Sequence, residues 1–198
     1  MKNLPYVASL SPQARLDTVA KSWKNLFILS CGQFLNPSDI AHLISVTLDD
    51  LENENNGDKM TCVLRQEIEN FQDIVHQIAA LELDTSEFVC LRALVLFQQI
   101  SNCSDSLLAT RDLTEQLRAN LTRLLILRRA PGHGARLVEQ LFGLLSAHLH
   151  TVSSAAVHKI FFKSAIGEDA PIDKIVVDIF RNSSGGEEGA MEDLENSG

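Results

Sequence analysis

The sequence predicts an all-α protein. Apolar residues recur at spacings of three and four along most of the chain, and no alternating β-type pattern of any length occurs. In addition, residues 86–97 are apolar on every side except at Arg92. A helix without a polar face must be covered by other helices on more than one side, and this one is too short to span a membrane. We therefore expect layers of helices with residues 86–97 inside.

Composition indicates one domain that does not bind nucleic acid or a membrane by itself. The 198 residues are 45% apolar and 22% charged, which is typical of a globular domain. The net charge of −9 disfavours contact with phosphate groups. The N-terminus lacks the long apolar segment of a signal peptide. The chain has four cysteines without CxxC spacing, and we expect reduced thiols in a cytosolic or nuclear protein: Cys31, Cys62, Cys90 and Cys103.

The first two helices are predicted from their start signals. Ser11 followed by Pro12 is a capping residue and a first-turn proline, and apolar residues then recur at helical spacing, so the first helix covers about 12–34. The pair Asn36 and Pro37 starts a second helix. This helix fades in the acidic, asparagine-rich run "DDLENENNGD", which predicts a loop.

The third and fourth helices differ in character. The third, about 60–82, is amphipathic. The fourth begins with Asp84 and Glu87, which have the spacing of a reciprocal capping pair, and continues into the apolar segment 86–97.

The C-terminal part is also predicted to be helical. A long helix covers about 105–129, and "APGHG" interrupts it. A second one covers 134–163 with a possible new cap at Ser153 and a terminal Gly167. Pro171 starts a last short helix.

Residues 183–198, "SSGGEEGAMEDLENSG", are predicted to form a flexible acidic tail because they contain too little apolar surface to fold. A short docking helix around Met191 and Leu194 is the alternative.

No motif predicts catalysis. There is no GxSxG, P-loop, HExxH or dinucleotide fingerprint. His148 and His150 are two residues apart, and on a helix they point to different faces, so they do not predict a metal site. "LTRLL" at 121–125 and "LFGLL" at 141–145 match LxxLL docking peptides, but leucines at helical spacing are more simply core. The leucine-rich face of 137–149 fits either a core or a self-association surface.

Three stretches resemble the ligand-binding domain of nuclear receptors. "VASLSPQARLDTVAKSWKNLFILSCGQF" is similar to the family signature around a helix-borne tryptophan, here Trp23. "LDTSEFVCLRALVLF" is similar to the buried eighth helix of the family. "VHKIFFKSAIGEDAPIDKIVVDIFRN" closely resembles the tailless and photoreceptor-specific subgroup. The resemblance covers about residues 7–182.

The resemblance implies a three-layer sandwich of antiparallel helices, with residues 1–182 as an N-terminally truncated domain. The first helices of the family and its zinc module would lie before Met1, so direct contact with DNA by this chain is not expected. Without those helices, the faces of 12–34 and 86–101 should be exposed, and the chain should bind a hydrophobic dye.

The resemblance also places the ligand pocket. Phe34 stands where retinoid X receptors carry an arginine that holds a ligand carboxylate. A bulky apolar residue there should fill volume, so we expect a filled pocket without affinity for acidic lipids, and a gain of acid binding in Phe34→Arg. The residues expected to line the pocket are Trp23, Phe27, Ile28, Cys31 and Phe34.

Two further sites are implied by the family. Glu87 is expected to form a structural ion pair with Arg136. The long helix in 134–163 is expected to form a dimer interface through Leu137, Leu141, Leu144, Leu145 and His148.

Together these features predict a regulatory ligand-binding and dimerisation domain of a nuclear receptor transcription factor in the nucleus. It is expected to be independent of ligand and repressive through a corepressor, to form homodimers or heterodimers, and to need no cofactor or metal. The alternative is a free-standing helical adaptor that dimerises with full-length receptors.

Overall fold

A computed structural model describes residues 11–54, 59–101, 107–128 and 132–185. These residues form helices and no strand, so the all-α prediction is confirmed. A π-helical turn at Leu144–His148 and a 3-10 turn at Leu149–Thr151 follow the sixth helix. The α-helices are α1 (Pro12–Phe34), α2 (Pro37–Glu54), α3 (Lys59–Ala80), α4 (Thr85–Ser101), α5 (Leu107–Arg128), α6 (His133–Gly143), α7 (Ser154–Phe161), α8 (Lys163–Ile166) and α9 (Ile172–Gly185).

The predicted capping signals are confirmed at α1 and α4. The Ser11 side chain accepts a hydrogen bond from the amide of Ala14 at the start of α1. At α4 the Glu87 amide donates to Asp84 Oδ1 over 2.9 Å, and the Asp84 amide donates to Glu87 Oε2 over 2.8 Å. Because this reciprocal pair satisfies two amides, it fixes the first turn of the apolar helix.

Helix α4 lies between α1 and α5, as expected for a helix without a polar face. The expectation that its face would be exposed is wrong, since neighbouring helices bury it. Val89 is its one large apolar side chain that is exposed among those described. The buried apolar residues of α4 are Phe88, Leu91, Ala93, Leu94, Val95, Leu96 and Phe97.

Antiparallel neighbours are visible from ion pairs between opposite helix ends. Arg128 at the end of α5 pairs with Asp84 at the start of α4. Arg65 near the start of α3 pairs with Glu52 near the end of α2. Helix α3 packs against both α1 and α2, and α9 packs against α1. The antiparallel layers predicted for the family are therefore present in the described part of the chain.

The region predicted as one helix over 134–163 is interrupted. After the π-helical and 3-10 turns, Val152 is extended, and Ser153 caps α7 by accepting from the Ala156 amide over 3.1 Å, as predicted. The predicted boundary at 183 is also displaced, since α9 continues to Gly185, where the Ser183 hydroxyl donates to the Ile179 carbonyl. Residues 186–198 of the predicted tail lie outside the described residues, and so does the alternative, a docking helix around Met191.

Candidate functional site

Four of the five predicted pocket residues lie in the interior on α1. Ile28, Cys31 and Trp23 are buried, and Phe27 is half-buried. These side chains point toward different neighbours, because buried positions occur all round α1. That these four residues line a ligand pocket stays a prediction.

Phe34 is not part of this interior. Its side chain is 71% exposed, and the Arg92 guanidinium lies 5.7 Å from the centre of its ring. Arg92 also donates to Gln33 and lies 5.7 Å from the Phe88 ring. The prediction that Phe34 fills a pocket is wrong, because the residue lies in the last turn of α1, where the helix leaves the core. Phe34→Arg is accordingly not expected to create an anchor for an acidic ligand.

An aromatic cluster occupies the space beside α1 instead. Phe27 lies 5.1 Å from Phe161, ring centre to ring centre, in an edge-to-face arrangement, and 5.5 Å from Phe162. Phe71 of α3 also lies 5.5 Å from Phe161, ring centre to ring centre. These distances are in the favourable range for aromatic pairs. The aromatic cluster, defined as Phe27, Phe71, Phe161 and Phe162, thus joins α1, α3 and the end of α7.

Two members of this cluster, both half-buried, were not predicted from the sequence. Phe161 and Phe162 belong to the "IFFK" run on which the resemblance rested, but their partners lie far away in the sequence. Their adjacent positions were the available signal, since two consecutive aromatic residues at a helix end must find cover from different neighbours.

Helix α9 is held on α1 by a long-range hydrogen bond. The Trp23 indole N–H donates to Asp173 Oδ1 over 2.8 Å. Ile172, next to it, is buried, whereas Ile179 on the same helix is 61% exposed. The first turn of α9 is therefore anchored on α1, whereas Ile179 further along the helix faces solvent.

The residue after this tryptophan binds another element. The Lys24 ammonium donates to the backbone carbonyl of Val152, between the 3-10 turn and α7. Burial lowers the pKa of Lys24, while the nearby carboxylates of Glu67 and Asp173 raise it in part. A half-buried lysine near two carboxylates is consistent with a structural cation.

Cys31 is unsuited to chemistry as a nucleophile. Burial raises the pKa of its thiol to about 12, despite a hydrogen bond with the backbone that acts in the opposite direction. The thiol is therefore protonated at neutral pH. Cys31, Cys62 and Cys90 are all free thiols, whereas Cys103 lies outside the described residues.

The predicted dimer residues are mostly core residues. All four leucines are buried within the single chain, and Leu141 is completely inaccessible. Burial in their own chain leaves them unavailable to a partner, so the prediction of a leucine interface is wrong and the core interpretation of this face is correct. Only His148 is exposed. The buried leucines are Leu137, Leu141, Leu144 and Leu145.

The outer side of α6 instead presents small residues between polar and apolar ones. Between the end of α3 and α6 runs a groove of about 400 Å³. Gly143 and Ala80 lie in its walls, and an added Cβ at Gly143 would meet no atom within 4 Å. We call this surface the α3–α6 groove. Its lining residues are Gln77, Ala80, Leu81, Gln140, Gly143, Leu144 and His148.

The predicted ion pair between Glu87 and Arg136 is not formed. Glu87 is completely buried at the start of α4, whereas Arg136 is exposed on α6 and makes no ion pair with it in the described part of the chain. Arg128, at the end of α5, reaches this end of α4 and pairs with Asp84.

The described residues show no cluster of side chains able to hold a metal, and none of the described helices could cross a membrane. Both LxxLL matches lie in helices with their first and last leucines buried: Leu121, Leu125, Leu141 and Leu145.

Packed antiparallel helices, an aromatic cluster and a C-terminal helix held on α1 define a layered all-α domain. The family model for the ligand-binding domain of nuclear hormone receptors matches residues 12–150, more than half of the chain. The chain therefore belongs to the nuclear hormone receptor ligand-binding domain family.

Individual relatives agree with this family. The chain is 26% identical over 208 residues to protein tailless of Drosophila virilis, with 91% of this chain and 45% of the relative covered. It is 25% identical over 183 residues to nuclear receptor subfamily 2 group F member 5 of Danio rerio, with 92% and 44% covered. It is 26% identical over 178 residues to steroid receptor seven-up, isoforms B/C, of Drosophila melanogaster, with 90% and 32% covered. The chain thus spans less than half the length of each of these relatives.

The resemblance to nuclear receptors of the tailless-like subgroup is confirmed by these matches. The matched family consists of receptor ligand-binding domains, which are regulatory and non-enzymatic, so the chain is a regulatory domain and not an enzyme.

Proposed function

We propose that this chain acts in the nucleus as a ligand-independent domain that dimerises with a second receptor and represses transcription through a corepressor. The observation that carries ligand independence is the aromatic cluster. Phe27 and Phe71 both pack against Phe161, so the space between α1, α3 and α7 holds side chains of the chain itself. An interior that is already packed offers a lipid little space.

The test is native mass spectrometry of the purified chain. We expect no stoichiometric fatty or retinoic acid. A lipid that survives purification at one copy per chain would overturn ligand independence. Phe27→Ala serves as a positive control, because an apolar cavity left by the ring should take up a small probe such as benzene, whereas Phe34→Ala removes an exposed ring and should take up none.

The α3–α6 groove supports dimerisation with a second copy or with another receptor. Its walls contain the small residues Ala80 and Gly143, which allow a partner helix to approach closely. Gln77, Gln140 and His148 offer hydrogen-bonding groups around them. Interfaces between proteins typically have a polar rim, and these three side chains supply polar groups for one.

Gly143→Arg tests this surface. Because nothing lies near Gly143 within the chain, the variant should fold but should block a partner. Met60→Arg is the matched control, since the Met60 side chain is 73% exposed. Met60 lies about 25 Å along α3 from Gln77, the first residue of this helix that lines the groove. Analytical ultracentrifugation should show a monomer–dimer equilibrium for the unmodified chain and for Met60→Arg, and monomer for Gly143→Arg. A dimer that persists in Gly143→Arg would place the interface elsewhere.

Repression rests on the resemblance of "VHKIFFKSAIGEDAPIDKIVVDIFRN" to the tailless subgroup. A fusion of the chain to a heterologous DNA-binding domain should lower transcription of a reporter gene, and activation would contradict the proposal. The adaptor alternative predicts a different outcome. The chain without any fusion should then form mixed dimers with a full-length receptor and change the activity of that receptor.

A further inference from the structure

Two consecutive residues of α1 bind two separate parts of the C-terminal region. Trp23 holds the start of α9 through Asp173, over 2.8 Å. Lys24 holds the carbonyl of Val152 at the junction between α6 and α7. The α7 and α8 helices separate Val152 from Asp173 along the chain. Adjacent side chains on one rigid helix therefore connect elements that are not neighbours in sequence.

The junction has a second attachment, to α3. The amide of Ser153 donates to Glu67 Oε2 over 3.3 Å, and its hydroxyl donates to the same oxygen. The Ser153 hydroxyl oxygen also accepts from the Ala156 amide and so caps α7. Val152 itself is completely buried. The junction thus depends on Lys24 for its carbonyl and on Glu67 for its amide and hydroxyl.

Lys24 interacts with the carboxylates of both contacts, Asp173 at the start of α9 and Glu67 at the α6–α7 junction. The carboxylates of Glu67 and Asp173 both interact favourably with its ammonium group. Lys24 and Glu67 are both half-buried, so their interaction is screened less than it would be at the surface, whereas Asp173 is exposed. If Asp173 moves away with α9, Lys24 loses one of two counter-charges. If the junction opens, the Lys24 ammonium loses its carbonyl acceptor, and its electrostatic interaction with the Asp173 carboxylate changes as well.

We propose that Lys24 is a positioning residue that makes the docking of α9 and the closure of the α6–α7 junction one cooperative event. Release of α9 then loosens residues 149–157, and opening of the junction weakens the hold on α9. This device does not depend on the proposed function. It would, however, transmit the state of α9 to the segment that follows the α3–α6 groove.

Hydrogen exchange of the whole chain tests the coupling from each side with Lys24 intact. Asp173→Ala removes the acceptor of Trp23 and should speed exchange in α9. With coupling, exchange in 149–157 should also rise about three- to tenfold, the factor that one buried hydrogen bond represents. Ser153→Ala should reciprocally speed exchange in α9. Lys174→Met, which removes an exposed lysine of α9, is the control and should change neither segment.

Lys24→Met should speed exchange in both segments, and Lys24→Arg should restore part of the protection in each. In the Lys24→Met background, Asp173→Ala should add nothing in 149–157. The proposal is overturned if Asp173→Ala affects α9 alone and Ser153→Ala affects the junction alone. These two variants decide the question even if Lys24→Met does not fold. Their outcome is independent of the outcomes of the dimer and ligand experiments.

Discussion

Replacing Phe27 and Phe34 by alanine, separately, compares the same change on one helix in two surroundings. Phe27 is half-buried and contacts the rings of Phe161 and Phe162, at 5.1 and 5.5 Å between ring centres. Phe34 is 71% exposed, with Arg92 above its ring as its aromatic-face contact. The two variants therefore separate a residue of the aromatic cluster from one that the family comparison placed in the pocket.

The expected magnitudes differ clearly. Truncating a fully buried phenylalanine costs about 3–5 kcal/mol, and partial exposure of Phe27 reduces this to roughly 2–4 kcal/mol. Part of that cost is the loss of two aromatic pairs, each worth about 0.5–1.5 kcal/mol beyond buried area. For Phe34 the loss of an exposed cation–π contact is worth about 0.5–1 kcal/mol. Phe27→Ala should thus be the more destabilising change by at least about 1 kcal/mol.

Urea unfolding followed by circular dichroism measures both values, provided that the slope of free energy against urea concentration is the same in all three proteins. An equal slope shows that the change lies in the folded state. If Phe34→Ala were as destabilising as Phe27→Ala, Phe34 would have to be covered in solution. The assignment of the aromatic cluster as the filled interior would then be refuted.

Three further outcomes are expected. Glu87→Gln should lower the free energy of unfolding by about 1–3 kcal/mol, because it alters a buried charged hydrogen bond at the start of α4, whereas Arg136→Gln should change it by less than about 0.5 kcal/mol in the same urea assay. Gly134→Ala should cost about 1–3 kcal/mol, since its Cβ would lie 2.7 Å from the backbone of α5; an unchanged melting temperature would contradict this close approach. In the folded chain a thiol reagent at pH 8 should modify exposed Cys62 at least about tenfold faster than Cys31, as peptide mapping would reveal.

The fold was predictable where short-range signals agreed with each other. The reciprocal pair of Asp84 and Glu87 fixed the start of α4, and the apolar surface that follows required neighbours on two sides. Ser11 and Ser153 marked helix starts through the hydrogen bonds that their side chains form. Such signals involve residues three or four apart, so the sequence contains both partners within one turn.

The site was less predictable because its contacts join distant residues. Trp23 and Asp173 are 150 residues apart, and Lys24 and Val152 are 128 apart. Neither bond leaves a periodic pattern in the sequence. Phe34 illustrates the opposite error, since its spacing from Trp23 matched a family position but its place in the last turn of α1 put the ring outside the core.

The leucines of α6 show why an apolar stripe alone cannot distinguish a core from an interface. Leu137 and Leu141 present the same spacing whether they face their own chain or a partner, and hydrophobic burial is equally favourable in both cases. A surface available to a partner is found instead on the side of α6 opposite these leucines. On that side Gly143 leaves open space. Gly134 instead faces α5, which approaches so closely that a Cβ at this position would collide with the α5 backbone. The two glycines of α6 therefore have different roles: Gly134 permits close packing inside the chain, and Gly143 keeps a surface open to a partner.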